Sequence, residues 1–369
     1  MIDIHQTYQL ALEVIHDCTK KNNIFFASAG TEKDSGYNSL WTRDFCHTLF
    51  GIIAAQKTHE FQESILLSIK YIFQYQLPSG QIPTNVDIWS DRPENAYYQT
   101  VDSTLLLLLV IHLLPDNHEL LQTYQSHIEH AYRWIADRDN GSGLIEQQET
   151  TDWLDTIPNQ GNVLSTNVLF YFVLKILNKQ EKAKEIFSVL QEKFSDVSLG
   201  YVYPWIWKVD HGTYCDTLGN CLMLLINLLP NPDSQIVLSF LEKECSIPYP
   251  IRALMPPITP QNRWWRNAID ICASRKPFAY QNGGVWSCVG GWYIFALIAQ
   301  GKTEEAQKQL TSLAQANTQN QNFLFPEWLD GISGTPNGQP KQAWSAGMYL
   351  AAYEAVKNNT TIFSSLLVK

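Results

Sequence analysis

Long and short connections alternate along this chain, and every second helix between them is apolar on almost every face. Apolar positions at helical spacing predict helices over 5–22, 45–56, 61–75, 101–114, 118–137, 163–177, 180–194, 216–229, 233–244, 289–300, 303–317 and 342–356. Those opening near residues 44, 101, 163, 216, 289 and 342 are the more apolar ones, and each follows a long loop. Antiparallel pairs joined in this way put all the long loops on one face, with apolar helices inside and amphipathic ones outside. Six such hairpins close into a double ring, an all-α (α/α)6 toroid. The period is roughly sixty residues in topology and is not visible as a sequence repeat. An open solenoid or two small bundles would also use twelve helices. No Pro/Gly/Ser linker divides the chain, however, and most long loops carry acidic motifs, so one domain over residues 1–369 is expected.

The loops hold the chemistry. Glu149-Thr-Thr-Asp-Trp-Leu-Asp155 follows the turn-rich run 137–143 and precedes another loop, which leaves Asp152, Trp153 and Asp155 on connecting backbone. Far downstream, Phe325-Pro-Glu-Trp-Leu-Asp-Gly331 repeats the pattern of acidic residues beside Trp. Glycosidic cleavage needs two carboxyl groups, one protonated and one ionised, and sugar rings pack on indole faces. Asp155 and Glu327 are therefore the candidate catalytic pair. Both lie well before their following helices, where a capping role is implausible. Whether Asp152 shares the acid role stays open.

Three inner helices begin near Asp: Asp44 in Trp41-Thr-Arg-Asp44, Asp102 in Val101-Asp-Ser103, and Asp216. Helix capping explains such placement by itself. It is the better single reading for Asp102 and Asp216, and stands level with a functional role at Asp44. Arg43 is suited to a sugar hydroxyl or to holding a carboxylate ionised. Tyr280-Gln-Asn-Gly-Gly-Val-Trp286 offers a tight turn beside amide and aromatic side chains, and Arg263-Trp-Trp-Arg266 fits either a pocket lining or a stacked surface cluster.

Composition narrows the classes. A net charge of −10 with no basic stripe argues against nucleic acid. Leu105–Leu114 is too short to span a bilayer. The seven cysteines show no C-x-x-C pair and the nine histidines no metal-binding spacing, so buried thiols and no metal are expected. The N-terminus lacks the basic and apolar regions of a signal peptide, which makes the cytoplasm the default compartment.

Taken in order, these motifs resemble the six-hairpin glycosidases, and most of all the neutral/alkaline invertase family. Trp41-Thr-Arg-Asp-Phe45 is similar to that family's Trp-x-Arg-Asp-Phe, and Val101-Asp-Ser103 to its Pro-Val-Asp-Ser. Trp153-Leu-Asp155 resembles its acid-bearing Met-Ile-Asp, or the Trp-Met-Asp of debranching-type relatives. Leu218-Gly-Asn-Cys221 and Asn282-Gly-Gly-Val-Trp286 match further family motifs. Phe325-Pro-Glu-Trp328 with Asp330-Gly331 is similar to Trp-Pro-Glu-Tyr-Tyr-Asp-Gly, and Gln342-Ala-Trp-Ser345 to Gln-Thr-Trp-Ser. The resemblance runs from about residue 37 to 355. Two loops depart from it. Thr156-Ile157 stands where the invertases carry two Arg, and Gly338-Gln-Pro-Lys341 where they carry a basic segment.

The resemblance implies an inverting glycoside hydrolase acting on a small α-linked glucoside, sucrose first, without a cofactor. Asp155 would be general acid and Glu327 general base. Arg43, Asp44, Asp102 and Asp216 would hold sugar hydroxyls, with Asp152, Trp153 and Asn282 also at the site and Trp41, Trp286 and Trp344 as walls. Debranching-type or glucosylglycerate-type glucosidases, and a sugar-binding toroid without turnover, are the alternatives. A lyase would need His211 or Tyr214 as base. The partner expected is a small oligosaccharide or glucoside, with no nucleic acid and no membrane; a homo-oligomer is compatible with the sequence.

Overall fold

A computed structural model describes residues 3–20, 23–30, 37, 39–87 and 96–367. Parts of the loops expected over 30–38 and 77–100, and the last two residues of the first expected helix, lie outside the described residues. Outer and inner helices alternate along the chain. Outer α1 (Ile4–Thr19) leads to inner α2 (Thr42–Ala54), and α3 (Gln62–Gln74) to α4 (Asp102–Leu113). The outer pair α5 (His118–Thr123) and α6 (Gln125–Ala136) leads to inner α7 (Leu164–Ile176), and α8 (Gln180–Lys193) to α9 (Thr217–Leu225). Outer α10 (Asn231–Phe240) and the one-turn α11 (Asn267–Asp270) precede inner α12 (Ser287–Ala299), and α13 (Thr303–Thr318) precedes α14 (Ala343–Asn358). A short α15 (Ser364–Leu367) follows.

The inner six touch in order, α2 to α4 to α7 to α9 to α12 to α14, and α14 returns to α2. The ring is closed, as the alternation of connections requires. Inner helices are buried on nearly all faces because they contact neighbours on both sides, the outer layer behind and the axis in front. That is why Asp102–Leu113 and Ser287–Ala299 have no polar stripe. The seam between the first and last inner helices is unusually close. A Cβ on Gly51 would lie 2.0 Å from the Gly347 carbonyl oxygen, and one on Gly347 2.4 Å from Thr48 Cα.

All inner helices start at one end of the ring, where the long loops converge and short antiparallel ladders tie them together. Leu40–Trp41 pairs with Asn85–Val86, Asn162–Val163 with Trp205–Trp207, and Cys215–Asp216 with Leu254–Met255. The opposite end is plugged. Buried Phe363, just before α15, packs its ring 5.3 Å from Phe50, 5.1 Å from Phe172 and 5.2 Å from Trp292, on three of the inner helices.

Three expected helices differ in extent. The helix at 118–137 breaks at Tyr124, whose ring stacks on Phe73 at 4.6 Å. The one from Asp216 ends at Leu225, because Asn227 takes a left-handed conformation at φ 53°. The third starts at Asn231 and passes into a π-turn over Leu241–Cys245. Six of the seven cysteines are buried and Cys272 is partly so, all as free thiols. Among the described residues no helix is long and apolar enough to cross a membrane.

Candidate active site

The mouth is organised around Arg43. It lies buried in the first turn of α2 and donates from Nε to Asp102 Oδ2 (2.7 Å), from Nη2 to Asp102 Oδ1 (3.2 Å), and from Nη2 to the backbone oxygen of Asp152 (3.1 Å). One guanidinium thus joins the starts of two inner helices to the loop that carries Asp155. A two-pronged Arg–carboxylate pair with both members buried is directionally demanding. Neither Asp44 nor Asp102 caps its helix, contrary to the expectation for Asp102. The N-cap positions belong to Trp41 and Val101, and no side chain caps either helix. The chain enters α2 as a strand, with Thr42 N bonded to Thr84 O (2.9 Å), so the helix begins two residues before Asp44. Asp216 does cap α9, accepting from Leu218 N at 3.1 Å.

Asp152 folds the acid loop from beneath. It is almost fully buried and accepts from Gln147 Nε2 (2.9 Å), Asn159 Nδ2 (3.0 Å) and Leu154 N (2.9 Å). Burial pushes its carboxyl up to about 7, the charge of Asp216 adds to that, and Asn159 pulls it back. Asp216 lies beneath Trp153 with no exposed surface; burial pushes it up to about 6, opposed by Gly219 N, Ser165 and Trp153. Asn282 is also fully buried. It accepts from Ile258 N (2.7 Å) and donates to Ile258 O (2.8 Å) and Ser274 O (2.9 Å), so its amide is spent on its own loop. Asp152 and Asn282 thus spend their side-chain polar atoms on their own loops, whereas Asp216 Oδ2 has no partner in hydrogen-bonding geometry among the described residues.

Asp155 is half-buried, and its Oδ1 accepts from Gln281 Nε2 at 3.0 Å. Burial raises its carboxyl above the ordinary range, while the Arg43 charge and the Gln281 bond pull it down. Glu327 is buried on the facing loop, with Oε1 accepting from the Tyr37 hydroxyl and Oε2 from Gln339 N (3.1 Å). Burial raises it too; Tyr37 and Gln339 N lower it, and the Asp155 charge raises it further. Glu327 therefore lies within the field of Asp155. Tyr280 feels both, Glu327 more strongly. Asp44 is pushed up to about 7 by burial, with Arg43 pulling down and Glu327 pushing up, which puts it in the same cluster.

Aromatic rings wall the space. Trp153 meets Trp286 edge-on at 6.2 Å, Trp286 meets Trp344 at 5.6 Å, and Trp344 meets His47 at 5.9 Å. Tyr280 bridges Trp286 (5.1 Å) and Trp328 (6.0 Å), and half-buried Trp41 stacks on Tyr37 at 6.1 Å. The indole N–H of Trp344 and both amide atoms of buried Gln342 have no hydrogen-bond partner among the described residues. Buried polar groups of this kind are characteristically satisfied by water or a ligand.

Tyr37, Tyr280 and Gln281 belong to this cluster and escaped the sequence reading; only the spacing of Tyr280 and Gln281 within the 280–286 turn hinted at them. The alternative bases lie elsewhere. The Tyr214 hydroxyl is buried between Trp205 Nε1 (3.0 Å) and Asn159 Oδ1 (2.7 Å), and His211 stacks on Tyr203 at 3.9 Å. The Arg263–Arg266 stretch is a stacked cluster that ties loops together. Arg263 sits 4.2 Å over Trp264 and pairs with Asp210, and Arg266 pairs with Glu149.

Known proteins share this architecture. A mannosylglycerate hydrolase from Thermus thermophilus, solved with Tris and D-glycerate, superposes with a TM-score of 0.68 at 14% identity, over 93% of this chain and 99% of that one. A bacterial glucoamylase complexed with acarbose gives 0.70 at 12% identity, over 98% of this chain and 57% of that one. At such identities the likeness shows the fold alone. In sequence, the mitochondrial alkaline/neutral invertase C of Arabidopsis thaliana is 24% identical over 242 residues, 58% of this chain and 35% of that protein. The chain thus spans about a third of the length of the curated relative it matches. Residues 118–359 match the family model for alkaline and neutral invertases. The chain belongs to the alkaline and neutral invertase family.

Proposed function

We propose that this chain is an inverting glycoside hydrolase for a small α-linked glucoside, with sucrose the first candidate. The observation that carries the reading is the pair of carboxyls, Asp155 and Glu327, each raised by burial, with the Asp155 charge acting on Glu327, on loops of one aromatic-walled mouth. In the reaction, the Asp155 carboxyl gives its proton to the glycosidic oxygen as the bond from that oxygen to the anomeric carbon breaks. Glu327 takes a proton from water, whose oxygen bonds to the anomeric carbon from the opposite face. Asp155 ends ionised and Glu327 protonated, and solvent exchange resets both. Room for that water requires carboxyls roughly 6.5–9.5 Å apart, the separation of inverting enzymes.

Arg43, Asp44 and Asp102 stand at the floor for sugar hydroxyls, Trp344 Nε1 and Gln342 offer uncommitted polar atoms, and Trp41, Trp153 and Trp286 supply ring faces and edges. Thr156-Ile157 stands where the invertases carry two Arg, so the loop beside the acid differs from theirs where a leaving group would lie, and the substrate panel below includes leaving groups with and without charge.

The test is reducing-sugar release from sucrose, trehalose, maltose, isomaltose, glucosylglycerate and mannosylglycerate, with Glu327→Gln alongside. One substrate is expected to turn over, with kcat lowered about 10²–10⁴-fold in the variant. Proton NMR of the nascent sugar should show the β-anomer from an α-glucoside. Activity that survives Glu327→Gln removes the base assignment, and an α-anomer product removes inversion. Silence across the panel with measurable monosaccharide binding favours a sugar-binding toroid.

A further inference from the structure

The side chain that contacts Asp155 is itself tied to four points of the acid loop. Gln281 is buried, in the turn held by the Asn282 amide. Its Nε2 donates to Trp153 O (2.6 Å) and Asp155 Oδ1 (3.0 Å), while its Oε1 accepts from Thr156 N (2.9 Å) and Thr156 Oγ1 (2.7 Å). Both amide hydrogens and both carbonyl lone pairs are used. Two of the four partners fix the amide's orientation by their chemistry. A backbone N–H can only donate, so Thr156 N must face the carbonyl end. A backbone carbonyl can only accept, so Trp153 O must face the NH2 end. Thr156 Oγ1 gives its single hydrogen to Gln281 and so accepts from Ser274 Oγ (2.7 Å), which locks the chain of donors from the far side.

We propose that Gln281 is the positioning residue of the general acid: by donating to Oδ1 of Asp155 it confines the transferable proton to Oδ2, the oxygen left for the glycosidic bond. A hydroxyl oxygen is a weaker acceptor than a carbonyl oxygen, so a proton on Oδ1 would weaken the Gln281 bond and the acid favours the placement on Oδ2. Without that donor the proton divides between both oxygens and the carboxyl is free to turn. The bond also stabilises the ionised form, because an N–H donor favours carboxylate over acid. The inference rests on Asp155 being the general acid, but its geometric core does not, and the experiment separates them.

The variants are Gln281→Met, which fills similar volume without donors, and Gln281→Glu, which keeps acceptors towards Thr156. Carbon-13 NMR of Asp155, assigned through Asp155→Asn, reads its titration in the full-length protein whether or not a substrate is known. The carboxyl midpoint is expected to move up in Gln281→Met. Kinetics on the substrate found above should show kcat lowered about tenfold to a hundredfold with KM little changed, and the alkaline limb of the kcat profile displaced upward by the same interval as the NMR midpoint. Gln281→Glu is expected to recover part of kcat only at acid pH, where its protonated carboxyl again donates. An unmoved NMR midpoint in folded Gln281→Met, checked by circular dichroism, overturns the inference. A moved midpoint with a kcat limb that stays put retains the contact and overturns Asp155 as the general acid. If Gln281→Met does not fold, the Gln281→Glu profile decides: activity equal to wild type at every pH overturns the inference.

Discussion

Asp44 shows how a single buried carboxyl makes the molecule respond to pH. In the folded chain burial holds it near 7, well above its ordinary value. The folded state therefore binds a proton more tightly than the unfolded one. The stability this contributes is complete below about pH 4 and is lost as pH rises through about 7. Asp44→Asn removes the titration, so the variant should gain on wild type between pH 5 and pH 8, read as the difference in urea midpoints. An equal difference at both values means that Asp44 is ionised throughout. Asp155 and Glu327 could be nominated from sequence because acid beside Trp in a loop has few structural explanations, and the fold brings both to one mouth. Gln281 was not, since its partners lie 125 residues away and a Gln before Asn-Gly-Gly reads as turn chemistry. The expected cap at Asp102 failed for a related reason. Its oxygens are claimed by Arg43, 59 positions earlier, and local helix chemistry carries no trace of that.

Among the elements, the apolar character of alternate helices was visible because inner position strips a helix of its polar stripe, and that is a property of composition. Where a helix ends is decided differently. Leu228 and Leu229 are as buried as the helical leucines before them, but left-handed Asn227 has already turned the chain. Periodicity cannot separate the two cases. The packing of α14 on α2 was also hidden, since a glycine in an apolar helix signals nothing until its neighbour is known. Gly347→Ala would set a methyl against Thr48 backbone, and backbone cannot swing aside. Overpacking of this kind costs about 1–3 kcal/mol, measurable in urea. Gly338→Ala acts in the loop that leads into α14: its φ is +73° and a Cβ would lie 2.3 Å from Glu327 Oε2. It should lower kcat by displacing the carboxylate and cost about 1–2 kcal/mol of stability through the left-handed backbone.

Across the whole molecule, mouth and plug belong to one ring of helices, and Trp292 and His47, whose rings meet at 6.0 Å, stand between Phe363 and Trp344. Phe363→Ala empties a site shared by Phe50, Phe172 and Trp292 and should cost about 3–5 kcal/mol of stability. At a temperature where the variant is folded its kcat should match wild type; a matched loss of kcat would mean that the two ends are mechanically linked. The closure of the ring has a further consequence, in time. α2 leaves the ribosome well before its partner across the glycine seam, α14, nearly three hundred residues downstream. Until that helix and Phe363 clear the exit tunnel, the apolar faces of the first hairpins have no final neighbour. A nascent chain should remain a client of ribosome-bound chaperones from the emergence of α2 until that of α14, and the closed mouth should form in one late step.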